Sequence, residues 1–151
     1  MIEAVPRAWY SRTIHFLDHG DLVAVLDQPV LRSGSVHVGD DVYTIRGQGV
    51  FRRSYALEGH GRLLAEATTS LIPPRFEIMA GDRNLTLRAT GFTRREFRLL
   101  HGDLQVGRMR RRSLFSRAAV VDFPDTLPVP VRVFLAFLVY RFWRRRARAA
   151  G

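Results

Sequence analysis

The sequence predicts a mainly β fold: a closed antiparallel barrel of about 12 strands around one hydrophobic C-terminal α-helix. Three observations predict it. From about residue 10 to residue 121, polar and apolar side chains alternate with period two, and helical periodicity is missing. Turn-forming residues break the alternation about every ten positions, as antiparallel hairpins require. Behind this region lies an apolar run with no polar face in its middle, and such a helix must be enclosed by protein or lipid.

The alternating runs are 10–17, 21–26, 35–38, 42–46, 50–57, 62–68, 75–79, 84–89, 93–99, 104–109 and 113–121, about eleven strands. Between them stand Asp18-His19-Gly20-Asp21, Gly39-Asp40-Asp41, Glu58-Gly59-His60-Gly61, Gly81-Asp82 and His101-Gly102-Asp103, residues that tolerate a positive φ and so suit hairpin turns. One face of each strand is apolar and the other polar. Phe51, Tyr55 and Leu57 alternate with Arg52, Ser54 and Ala56, and Phe97 and Leu99 alternate with Glu96 and Arg98.

Three hairpins resemble one another around Ile14, Tyr55 and Phe97, which are 41 and 42 residues apart. A repeat of that length holds four short strands, and three repeats give twelve. Chance likeness among hairpins is the competing explanation.

After Pro124, Pro128 and Pro130 the pattern changes, and proline in a first turn marks a helix start. The predicted helix covers about 130–147, and its residues 133–140 are eight apolar residues in a row. A membrane span needs about 20 apolar residues, so this shorter run is read as a buried core helix. A barrel of eleven or twelve strands is too wide for its own side chains to fill, yet it suits one helix about 10 Å across.

The 151 residues make one domain, 1–151, with ordinary fractions of hydrophobic (46%) and charged (25%) residues. All 24 cations are Arg against 14 carboxylates, a net charge of +10 that attracts phosphates on lipid or nucleic acid without choosing between them. The absence of Cys excludes disulfides, thiolate metal sites and a cysteine nucleophile. The N-terminus has no basic region followed by an apolar run, so a cytoplasmic location is expected.

The chain resembles the tubby C-terminal-like superfamily, which includes tubby domains, plant LURP-one-related proteins and phospholipid scramblases. The resemblance rests on Tyr55-Ala56-Leu57 leading to Gly61, Phe97-Arg98-Leu99 leading to Gly102, the strand from Leu104 to Arg110, and the terminal helix 133–143. It implies a twelve-stranded antiparallel barrel with the helix threaded through it and, in some members, binding of phosphoinositide or another anionic lipid. The calcium-binding segment that scramblases add has no counterpart in this sequence.

No catalytic motif is present: neither G-x-S-x-G nor H-E-x-x-H occurs, and Gly47-Gln48-Gly49 lacks the following helix that would aim amides at a phosphate. The chain is therefore read as non-enzymatic, with no cofactor. His15, Asp18, His19 and Asp21 are metal-ligand types, as are His37, Asp40 and Asp41, but turn chemistry explains both sets and no metal site is assigned.

Two basic clusters are the candidate contacts for an anionic ligand or lipid: Arg108, Arg110, Arg111 and Arg112, and Arg144, Arg145, Arg146 and Arg148. Tyr140, Phe142 and Trp143 beside the second cluster are the expected membrane-interface aromatics. The expected partner is an anionic membrane surface, met peripherally at the inner face, or a protein. Nucleic acid is disfavoured because aromatics interleaved with Arg are not evident. Two alternatives stay open: a structural or interaction module with no ligand, and a tail-anchored protein whose helix enters a bilayer.

Overall fold

The computed structural model describes residues 1–7, 12–28, 33–48, 54–71, 74–91, 93–113 and 116–150; residue 71 and residues 148–150 are described only by their place in a strand or helix. Twelve strands form one closed barrel in simple up-and-down order, each antiparallel to its neighbours. They are β1 (Ile2–Pro6), β2 (Thr13–Asp18), β3 (Asp21–Asp27), β4 (Ser33–Val38), β5 (Asp41–Gln48), β6 (Ser54–Gly59), β7 (Arg62–Leu71), β8 (Pro74–Ala80), β9 (Arg83–Thr90), β10 (Glu96–His101), β11 (Leu104–Arg111) and β12 (Ala119–Asp122). Helix α1 (Val129–Ala150) follows.

The predicted barrel and its helix are both present, and closure depends on a strand that the sequence pattern did not reveal. β1 pairs with β12 on one side and β2 on the other. Its alternation of buried Ile2 and Ala4 with Glu3 and Val5 is only five residues long and ends in Pro6, too short a run to stand out.

The predicted strand 113–121 also shortens to β12. Ser113 and Ser116 side-chain oxygens accept hydrogen bonds from the backbone N–H of Ser116 (3.2 Å) and Ala118 (3.0 Å). Hydroxyls that capture local backbone donors take them from the ladder. The start of strand 10–17 and residues 50–53 of strand 50–57, Phe51 and Arg52 among them, lie outside the described residues. Ala56 departs from the predicted alternation, being buried together with Tyr55 and Leu57.

Every strand contributes buried inward positions, and several are alanine: Ala4, Ala24, Ala65, Ala67, Ala89 and Ala119. Small side chains on the wall leave room for the helix. Val131 and the whole run 133–140 are buried, so this stretch of α1 is surrounded on all sides by the barrel wall. Phe137 stacks edge-on against Tyr55 at 5.6 Å between ring centres. A Cβ on Gly34 would stand 3.6 Å from the Phe137 ring, so the β4 backbone passes directly beside the helix. No helix among the described residues is long and apolar enough to cross a membrane.

The repeat is visible in three dimensions. Ile14, Tyr55 and Phe97 lie on β2, β6 and β10, four strands apart around the ring. In each case the ladder to the next strand shifts register two or three residues later, after Phe16, Leu57 and Leu99. Three bulges at matching positions strengthen the twist at regular intervals, and chance likeness of hairpins would not place them so.

Candidate functional site

Up-and-down order puts alternate connections at opposite ends of the barrel. At one end, the turn end, are the two-residue turns 19–20, 39–40, 60–61, 81–82 and 102–103, and the segment 123–128 that leads into α1. At the other, the loop end, are the remaining connections, all longer except 72–73, and α1 finishes there. His19-Gly20 and His60-Gly61 have positive φ at both residues (51° and 87°; 53° and 73°), the geometry that suits the right-handed twist of a hairpin.

Charge divides between these ends. The turn end carries Asp18, Asp21, Asp40, Asp41, Asp82, Asp103 and Asp125 against Arg62, Arg83 and Arg132. Arg7, Arg12, Arg94, Arg95, Arg112 and Arg117 are at the loop end, joined there by the last turns of α1 with Arg141, Arg144, Arg145 and Arg146. The turn end also exposes Leu22, Val42 and Leu63, each the second residue of its strand, and Leu104, the first residue of β11, which is 68% exposed.

The loop end is closed by the aromatic foot of the helix. Tyr140 and Trp143 are 5% and 4% exposed. The Tyr140 hydroxyl donates to the Arg117 carbonyl (2.8 Å), and the Trp143 ring N–H donates to the Arg94 carbonyl (2.9 Å). Phe142 is half-buried and packs edge-on against Phe97, ring centres 5.2 Å apart. Tyr140 and Trp143, expected at a membrane interface, are thus buried side chains that plug the barrel, while Phe142 keeps part of its surface exposed. Aromatic side chains next to Arg fit both readings in sequence, and only the helix inside the wall decides.

The two predicted arginine clusters meet at this plug. The Arg111 guanidinium lies 4.8 Å from the centre of the Trp143 ring, a cation–π contact that ties the end of β11 to the end of α1. Arg111 thus faces inward, unlike exposed Arg108, Arg110 and Arg112. Arg108 pairs with Glu96 at 3.8 Å and Arg112 with Glu3 at 3.5 Å. Arg144 is half-buried, Arg145 and Arg146 are exposed, and the Arg148 side chain lies outside the described residues.

Arg95 belongs to the same group, although the sequence pattern did not single it out. The backbone N–H of Arg111 donates to its carbonyl (3.1 Å). Burial pulls the Arg111 guanidinium below the ordinary arginine value; nearby Tyr140 opposes this, and Arg95 and Arg117 reinforce it. Burial holds the Tyr140 hydroxyl well above the usual tyrosine value, against the pull of Arg117 and Arg111. The Nε atoms of Arg95, Arg111 and Arg141 are buried without a hydrogen-bond partner. Fixed donors beside like charges form a site suited to an oxyanion.

Among the described residues, no group of three or more His, Asp or Glu is placed to hold a metal ion. Asp18 and Asp21 face each other across the β2–β3 turn, and Asp18 lies 3.8 Å from the chain's N-terminal ammonium. No family model, no curated protein and no solved structure matches this chain.

Proposed function

We propose that this barrel is a non-enzymatic binding protein that engages anionic phospholipid headgroups at a membrane surface through its loop end. The observation that carries the reading is the set of three buried guanidinium Nε donors without partners, on Arg95, Arg111 and Arg141. A buried charged donor left unpaired is costly, and a phosphate oxygen is the acceptor best suited to guanidinium. The opposite end is acidic, so an anionic surface would draw the barrel in with its loop end first. The likeness of the aromatic-x-Leu strands and the terminal helix to tubby-like barrels supports the same reading, since some members of that superfamily bind anionic lipid.

Flotation with neutral and anionic vesicles at low and high salt tests it. Binding is expected to anionic vesicles only, to weaken with salt, and to fall when Arg95 and Arg111, or Arg144, Arg145, Arg146 and Arg148, become Gln. Absence of binding to any vesicle would overturn the proposal. A second reading, a protein-interaction module, rests on the exposed aliphatic residues of the turn end, Leu63 and Leu104 among them.

A further inference from the structure

A second basic feature lies on the outer wall, away from the plug. Strand register places Arg75 opposite Arg88, Arg88 opposite Arg98, and Arg98 opposite Arg108. Four guanidinium side chains therefore stand in one row across β8, β9, β10 and β11, and all four are exposed. With strands about 4.8 Å apart the row is roughly 14 Å long and runs around the barrel rather than along it.

Such a row is unfavourable on its own, because like charges directly opposite each other on neighbouring strands destabilise the pair. Carboxylates relieve only its ends: Arg75 pairs with Glu77 (3.4 Å) and Arg108 with Glu96 (3.8 Å). Among the described residues no carboxylate lies within ion-pair distance of Arg88 or Arg98, the two at the centre. The neighbouring outward positions on these strands are Glu77, Thr86, Thr90, Glu96, Leu100 and Arg110, and Asp122 of β12 stands opposite Arg108; none is an aromatic side chain on which a nucleobase could stack.

We infer that this row binds a linear phosphate polyanion without bases, inorganic polyphosphate being the chemical type. Closely spaced phosphate oxygens match a line of guanidinium forks, and each neutralised Arg relieves repulsion from its neighbours. A flexible chain can follow the convex wall, whereas a flat bilayer meeting the loop end cannot lie along a row that circles it. This inference is independent of the lipid reading at the centre of the row, because Arg88 and Arg98 belong neither to the plug nor to the predicted lipid contacts.

The test is titration of the full chain with polyphosphate of defined length, with orthophosphate and single-stranded oligonucleotide as comparison probes. Arg88→Gln with Arg98→Gln is expected to weaken polyphosphate binding by roughly tenfold and to lower the salt slope by about two. Arg145→Gln with Arg146→Gln is expected to leave it unchanged. Polyphosphate should also raise the melting temperature of the parent chain more than that of the double variant, which shows in the same samples that the variant is folded. Equal affinity of parent and double variant would overturn the assignment of the row, and tighter binding of the oligonucleotide would overturn the choice of ligand.

Discussion

The turn end of the barrel is closed by two-residue connections bearing carboxylates and exposed aliphatic side chains, whereas the loop end has mostly longer connections, arginines and an aromatic plug. The turn end is organised locally, each hairpin fixing its own geometry through backbone φ. Nothing local would hold the loop end together. Trp143 and Tyr140 reach Arg94 and Arg117 across 49 and 23 residues of sequence, and Arg111 closes over Trp143 from a third element. The difference teaches that the frame can be built hairpin by hairpin, while the candidate site exists only once the helix is seated.

If the seated helix joins the two ends, its removal from the core is the largest available perturbation. Phe137→Ala, at a fully buried position, is expected to cost about 3–5 kcal/mol in urea unfolding and to reduce vesicle binding as well. A fully folded variant with unchanged stability would mean that the wall does not depend on the helix.

Gly107 sharpens the comparison from the side of the wall. A Cβ there would sit 2.6 Å from the Asp122 carbonyl oxygen, a backbone atom that cannot rotate away. Gly107→Ala is expected to destabilise by about 1–3 kcal/mol in the same measurement. Tolerance of alanine would show that the β11–β12 seam is looser than this close approach requires.

At the loop end, Tyr140→Phe removes one buried hydrogen bond and is expected to cost about 1 kcal/mol at pH 7. The folded state keeps Tyr140 protonated to higher pH than the unfolded chain does. Its contribution is therefore complete below about pH 10 and declines as pH rises from there towards the raised folded value. Stability of parent and variant should converge above about pH 10, and a constant gap would place the hydroxyl in a more solvated setting.

Smaller effects distinguish surface from frame. Arg98→Gln should raise stability by roughly 0.2–1 kcal/mol by relieving like-charge contact in the outer row. Leu63→Ser with Leu104→Ser at the turn end should leave flotation with anionic vesicles unchanged. Loss of flotation in that variant would reverse the proposed orientation and favour an apolar contact at the turn end.

Most of the wall was legible in the sequence because period-two alternation and turn residues act within a few positions of each other. The same locality explains the omissions. β1 is too short to show a period, and the serines at 113 and 116 divert backbone donors that alternation alone assigns to a strand. Of the site, the sequence exposed the charge but not its partition: Arg108 and Arg111 look alike in a run of cations, yet one points to solvent and the other onto Trp143. Arg95 gave no signal, since a buried guanidinium is defined by what surrounds it.

By itself the amino-acid order determined a β meander, its turns, its repeat spacing, a net positive charge and a helix too apolar to stand alone. Tertiary structure decided that β1 closes the ring, that Tyr140 and Trp143 plug it, that arginines gather at one end, and that four more align across neighbouring strands. Alternation and turn preference are properties of adjacent residues, whereas closure, burial and cross-strand register arise only when distant segments meet.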